Sequence, residues 1–453
     1  MFSRFIVATG LAIFLFGGCT AYRPPLEYPE PRPLGRDYKT ATAAKIPSEA
    51  DTAVSRGVSR VEELSLQQAL SLALLRNPGL SAYSWEIRAR EALALQASLW
   101  PNPEIGLEVE NLGGTGDYGG LNRTETTLQV NQLIELAGKR SKRTRVATLE
   151  SNLAAWGYEA KRLDVFAEVV KAFTEVVAAQ TRVEVNKELL ALAEKFVQTI
   201  ERRVKAGKVS LAEASRAKVE LSVATVELER SRRILLAARQ RLAATWGSSE
   251  PEFKRVVGVL DVPSSIPSFE KMESFIYENP EIALWVAEME RRRAMLELEK
   301  ARRIPDPTII GGYRRLNETT DNAFILGLSI PIPIFNRNQG AVLEAEYRLK
   351  QTRSQSRAME TMMRSRLAGQ YQMLSVLYNE ARTLKENIIP DARNAFEIIN
   401  KGYLLGKFTA LDVLDAQRTL FEVRGRYLQA LTDFHKTAAD IERIIGRRLT
   451  DVK

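Results

Sequence analysis

The stretch AGKVSLAEASRAKVEL at residues 206–221 aligns without a gap to LGKFTALDVLDAQRTL at residues 405–420. Both copies describe one event: a helix ends on glycine, the chain turns, and a second helix starts on a hydroxyl residue. Gly207 and Gly406 can enter the left-handed conformation that closes a helix. Ser210 with Glu213, and Thr409 with Asp412, then form the S/T-x-x-D/E start of the returning helix.

Moving outward, the offset persists. The returning helices end alike at Trp246-Gly247 and Ile445-Gly446. Upstream, Asn77-Pro78 recurs as Asn279-Pro280, and Pro101-Asn102-Pro103 as Pro305-Asp306-Pro307. A repeat of this length means that one supersecondary unit is written twice, in halves of about 200 residues. The first half is assigned to 61–250 and the second to 268–446, with a linker at 251–267 and a C-terminal tail at 447–453.

Each half reads as helix, strand pair, very long helix, turn, helix. Residues 79–99 are helical until Pro101 and Pro103, which lack an amide donor and disfavour helix in the preceding residue. Ile105, Leu107 and Val109 then alternate with Glu104, Gly106, Glu108 and Glu110, the period of a strand with one apolar and one wet face. Strands are expected at about 103–111 and 123–134, and again at about 307–316 and 322–332, where Phe324, Leu326, Leu328 and Ile330 share a face. Each is about as long as a tilted transmembrane strand. Four strands cannot close a membrane barrel, because open edges leave backbone groups unpaired in lipid. Several chains must share one.

The helices are long. About 67 residues at 139–205 run without proline, which at the α-helical rise spans about 100 Å. The second half repeats this with a long helix at 339–401, followed by a shorter one at 411–445. On that last helix Val413, Ala416, Leu420, Val423, Tyr427, Ala430, Phe434, Thr437, Ile441 and Ile444 step by three and four, a coiled-coil seam. The first half carries the same seam from Ala214 to Thr245.

The start of the chain is of another kind. Arg4 and a run of about fourteen apolar residues at 5–18, too short to cross a bilayer, form a signal peptide over 1–18. Its LFGGC ending resembles a bacterial lipobox, which implies that Cys19 becomes the lipid-bearing first residue of the mature chain. Cys19 is the only cysteine among 453 residues, so the fold holds without disulfides. Thr20 after it favours, by the same resemblance, outer-membrane sorting. Residues 19–60 form a proline-rich tether.

Composition excludes other classes. The net charge of +9 arises from bases interleaved with acids along helices, as at 227–233 and 288–303, which marks a solvated helix face rather than a nucleic-acid surface. There is no phosphate loop, no paired metal ligands and no nucleophile with a histidine base, so neither an enzyme nor a cofactor site is indicated. His435, the one histidine, is read as a surface or seam residue of a helix.

Taken together, the lipobox, duplicated halves, paired hairpins and the turn GKFTALDVLDAQRTL resemble the TolC-type outer-membrane efflux family over nearly all of 61–446. The resemblance implies a mainly α fold with a β-barrel contribution, in which a trimer forms a 12-strand outer-membrane barrel on a periplasmic helical coiled-coil tunnel. It implies a passive exit duct working with a periplasmic membrane-fusion adaptor and an inner-membrane pump of the proton-driven RND type. Gly207, Lys208, Val209, Gly406, Lys407 and Phe408 would be adaptor-docking tips, with Ser210, Glu213 and Thr409 as helix caps. Asp412 and Asp415 would ring the periplasmic entrance; at the matching positions the first half has Glu213 and Arg216. NPEIGLEVEN at 102–111 and QLIELAGKR at 132–140 look closest to the heavy-metal branch, making metal cations or drugs the cargo. A protein-secretion duct and a non-conducting periplasmic coiled-coil scaffold are the alternatives.

Overall fold

The computed structural model describes residues 61–452; the signal peptide, Cys19 and the tether lie outside the described residues. The first half contains β1 (Val61–Ser65), α1 (Leu66–Arg76), α2 (Pro78–Ser98), β2 (Glu104–Glu110), β3 (Glu125–Leu133), α3 (Lys139–Lys205) and α4 (Leu211–Ala244). After β4 (Phe253–Val257), the second half contains α5 (Phe269–Ser274), α6 (Pro280–Ala301), β5 (Thr308–Leu316), β6 (Asn322–Ser329), α7 (Gln339–Thr383), α8 (Ile389–Leu404) and α9 (Ala410–Ile445). The chain divides into two compact units, and α3 and α7 contribute residues to both.

One unit holds residues 87–152 and 290–349. Its centre is an antiparallel sheet in the order β2-β3-β5-β6, so the hairpin of each half pairs with the other through β3 and β5. The register aligns Leu107, Leu128, Tyr313 and Phe324 in one row across all four strands. This face stays uncovered: Phe324 is 92% exposed, Leu326 87% and Ile105 76%. On the other face Arg314 lies between Glu110 at 3.2 Å and Glu125 at 2.9 Å, and donates to the Thr127 hydroxyl. β2 and β6 each have one edge without a strand partner among the described residues. β6 stops at Ser329 rather than near 332, because Pro331 and Pro333 cannot donate to a ladder.

The corner between sheet and helices explains the QLIELAGKR stretch. Gln132 donates to the Pro101 carbonyl, and Asp306 accepts from the Leu136 amide at 2.8 Å while pairing with Lys139 at 2.7 Å. Arg143 closes the C-terminal end of α2 by donating to the carbonyls of Ala97 and Leu99, and Glu135 holds it in place.

The other unit holds the remaining described residues. Sequence reading missed its first two elements. β1 pairs in parallel with β4, and the Gln180 side chain both donates to and accepts from the Val256 backbone, occupying the position of a further strand. Ser65 and Gln68 form the capping box that starts α1. Residues 251–267, expected as the linker between the repeats, carry contacts of their own. Besides β4 they carry Asp261, paired with Lys385 at 2.6 Å, and Ser264, whose carbonyl accepts from Tyr378.

The two Asn-Pro pairs do matching work. Asn77 donates to the Thr245 carbonyl and accepts from the Leu80 amide; Asn279 donates to the Ile444 carbonyl and accepts from the Glu281 amide. Each asparagine thus joins the start of a short helix to the end of the returning one, relieving orphan groups at both. The coiled-coil seam of α9 is buried at Val413, Leu420, Ala430, Phe434, Thr437, Ile441 and Ile444.

Along another face, α9 is laced antiparallel to α3. Arg443 pairs with Asp164, Asp440 with Lys171, Lys436 with Glu175, and Arg424 with Glu188 at 2.8 Å. The second long helix is not uninterrupted over 339–401. Residues Leu384–Ile388 form one π turn in which the Ile389 amide donates to the Leu384 carbonyl, directly before Pro390. Proline removes the amide that an α ladder requires there, and the wider turn absorbs the loss.

Candidate functional site

Two surfaces carry the chemistry, each within its own unit: the apolar strand face and the hairpin tips. Among the described residues no helix is long and apolar enough to cross a membrane. The exposed row of Ile105, Leu107, Leu128, Phe324 and Leu326 nevertheless forms a continuous apolar band, with charged Glu108 and Arg314 confined to the opposite side. A sheet face of this kind matches lipid outside and water inside.

Both tips close in the same way. In the first, the Lys208 amide donates to the Arg203 carbonyl and the Gly207 amide to the Val204 carbonyl; in the second, Lys407 donates to Gly402 and Gly406 to Tyr403. This is the Schellman pattern, and it requires the left-handed glycines Gly207 at φ +68° and Gly406 at φ +78°. Val209 is partly buried against the tip cluster, whereas Lys208 and Lys407 are exposed. One edge of the Phe408 ring sits against Gly402, where a β-carbon would collide with it.

The returning helices start differently. Ser210 accepts from the Glu213 amide at 3.3 Å, a one-way cap. Thr409 and Asp412 form the full reciprocal box, with Asp412 accepting from the Thr409 amide at 2.8 Å and hydroxyl at 2.7 Å. Those bonds, the hydroxyl first, hold the Asp412 carboxyl below the usual carboxylate range. Asp415 is exposed and pairs with Arg418 at 2.7 Å. Sequence reading missed Arg418, although an arginine three residues along a helix is a visible signal.

The structure brings the tips together. Phe196, Val197 and Ile200 of α3 pack with Tyr403, Ala410 and Val413 of the second hairpin. Arg203 donates to the Tyr403 carbonyl at 2.7 Å, with its guanidinium 4.5 Å from the centre of that ring. Between α4 and α9 a cleft of about 330 Å³ opens, lined by Ser215, Arg216, Leu411, Asp415 and Arg418 among others. Gly207 and Gly406 themselves face open space, where an added β-carbon would meet nothing within 4 Å.

His435 is far from both surfaces in sequence and role. Its ring bonds to the Asp261 carbonyl at 3.0 Å, and burial lowers its pKa. Among the described residues no group of three or more His, Cys, Asp or Glu could hold a metal ion.

Known proteins fit this picture. The sequence model of the outer membrane efflux protein family matches residues 69–248 and 273–447, the two repeats. The cobalt-zinc-cadmium resistance protein CzcC of Cupriavidus metallidurans is 38% identical over 85% of this chain and 90% of its own length. The nickel and cobalt resistance protein CnrC of the same species is 28% identical over 63% of this chain and 66% of its own. The solved outer membrane protein VceC of Vibrio cholerae superposes with a TM-score of 0.69 at 20% identity, over 85% of this chain and 96% of VceC. Two matched repeats, a strand face suited to lipid and long helical hairpins lead to one assignment: the chain belongs to the outer membrane efflux protein family, as an export channel subunit of the outer membrane and not an enzyme.

Proposed function

We propose that three copies of this chain join edge to edge into one 12-strand barrel, and that the trimer is the passive exit duct of a tripartite metal-cation efflux system. The observation that carries the proposal is the pair of free edges on a four-stranded sheet with an uncovered apolar face. In lipid such edges must find partners, and identical chains supply them by rotation. Similarity to CzcC and CnrC supports divalent cations such as cobalt, zinc, cadmium and nickel as cargo. The chain conducts; selection belongs to an inner-membrane pump, of the proton-driven RND type, joined through a periplasmic adaptor. Cys19 carries the lipid anchor.

In this reading the exposed tip residues Lys208 and Lys407, with the cleft beside Ser215, receive the adaptor. Asp412 and Asp415 of three chains line the entrance and favour cations over anions. Both carboxylates already have partners in their own chain, Thr409 and Arg418, so the ring is weaker than six free charges. Purified protein in planar bilayers tests the duct: discrete conductance steps with cation preference are expected, and a silent trimer would leave only a scaffold. Native mass spectrometry should give three chains, each bearing diacylglyceryl at Cys19.

A further inference from the structure

On the side opposite the apolar band, the four-stranded sheet carries its charges unevenly. The register places Glu104, Glu108 and Glu110 of β2, Glu125 of β3 and Arg314 of β5 on this face, while β6 brings only Ala323, Ile325, Gly327 and Ser329 to it. Glu104 and Glu108, nearer the helices, are exposed, and no ion pair among the described residues includes them. Glu110 and Glu125 stand at the other end, beside the loops 111–124 and 317–321. There the charge is answered.

Glu110 and Glu125 are direct partners in the register, a like-charged pair across two strands that costs stability when left alone. Arg314 resolves it with every nitrogen of its guanidinium. Its Nε donates to the Thr127 hydroxyl at 2.9 Å, one terminal nitrogen donates to Glu125 at 2.9 Å, and the other lies 3.2 Å from Glu110. Thr127 is 1% exposed, so the clasp is anchored in the floor of the sheet. The residues flanking Arg314 in its row, Thr127 and Ala323, are both small and leave the long side chain room to reach the carboxylates.

Two facing carboxylates offer the oxygen ligands that divalent cations take. The guanidinium fills that place with a charge of the same sign and a planar fork that matches carboxylate geometry. A conducting path lets its ion go only where binding is weak. The face therefore offers free carboxylates on the helix side and occupied ones on the loop side.

We infer that Arg314 is a specificity-determining residue of the duct: it occupies the pair Glu110 and Glu125 as a built-in counter-ion, so that the loop end of the barrel does not capture divalent cations, while Glu104 and Glu108 attract them from the helix side. The inference rests on the reading that this face lines the lumen of a barrel shared by several chains.

The test compares full-length wild type with Arg314→Gln, Arg314→Lys and a triple variant carrying Arg314→Gln, Glu110→Gln and Glu125→Gln. Zinc binding is measured by calorimetry on the detergent-extracted protein, and block of current by zinc added on the loop side is recorded in planar bilayers. Arg314→Gln should gain zinc sites that wild type lacks and reach half-block at a zinc concentration lower by about ten-fold or more. Arg314→Lys keeps the charge without the fork, so it should fall between the two. The triple variant should return to wild-type binding and block.

Wild-type binding and block in Arg314→Gln would overturn the inference, and so would a gain that survives in the triple variant, since the zinc would then sit elsewhere. If Arg314→Gln fails to assemble, Arg314→Lys carries the test, and a wild-type response from it is the refuting result. The two readouts also separate this inference from the duct. Silent channels whose Arg314→Gln form gains zinc sites sink the duct and keep the counter-ion; conducting channels with an unchanged zinc response do the reverse.

Discussion

Arg203 donates to the backbone carbonyl of Tyr403 while its guanidinium lies over the same residue's ring, so one side chain of the first hairpin grips the neck of the second by two different forces. Tyr403 is 2% exposed, so the grip acts in a largely dry site. Removing it takes one of the donors from a carbonyl that the Gly406 amide still serves, which costs about 0.5–1.5 kcal/mol, and loses a cation–π contact as well. Arg203→Ala should raise the hydrogen-exchange rate of amides 402–412 by ten-fold or more. Arg203→Lys should restore only part of the protection, since lysine lacks the planar fork.

The strand face gives a side-specific prediction. Leu326 is 87% exposed on the apolar side, and Arg at a lipid-facing barrel position costs about 2–4 kcal/mol near the bilayer midplane. Leu326→Arg should sharply reduce the trimer recovered from outer membranes. Glu108→Arg, on the opposite face, should leave assembly near wild-type.

At the entrance, capping and charge can be separated. Asp412→Asn with Asp415→Asn keeps a side chain able to cap while removing both charges. Block by periplasmic multivalent cations should fall and cation selectivity weaken, with the trimer intact. Unchanged block and selectivity would reduce these residues to caps.

Adaptor docking is best probed beside the glycines. Substitution at Gly207 or Gly406 strains a left-handed turn whatever else it does. Ser215→Trp fills the cleft between α4 and α9 from an ordinary helical position. Cells carrying it should lose metal resistance while keeping normal amounts of assembled trimer, measured by blotting of membrane fractions.

Near the C-terminus, Glu442 accepts from the Leu449 amide, and desolvation of its carboxyl raises its pKa from 4.5 to about 7. An acid whose pKa is higher folded than unfolded is neutral in both states below pH 4.5 and costs nothing there. Between pH 4.5 and about 7 the unfolded chain ionises first, so stability falls as pH rises, by at most about 3 kcal/mol. Glu442→Gln lacks this slope. Melting curves of the two proteins should coincide near pH 4.5 and separate by pH 8, with the variant the more stable.

Periodicity and punctuation in the sequence determined the duplication, the four strands of the sheet, the length of the first long helix and the α9 seam. These are local matters: alternation fixes a strand face, three-four spacing fixes a helical stripe, and Gly406 or Pro101 ends an element wherever the chain lies. The glycine turns and the Thr409 cap were legible for the same reason. Other features depend on residues distant in sequence. β1 and β4 are short and gain meaning only as partners, and Gln180 replaces a strand that no pattern announces. Arg203 reaches Tyr403 across 200 positions, and Lys385 of the π turn meets Asp261 only once the chain has folded back. Sequence sets which surfaces are apolar and where helices stop; which charges meet is set by packing, because those energies exist only between elements already side by side.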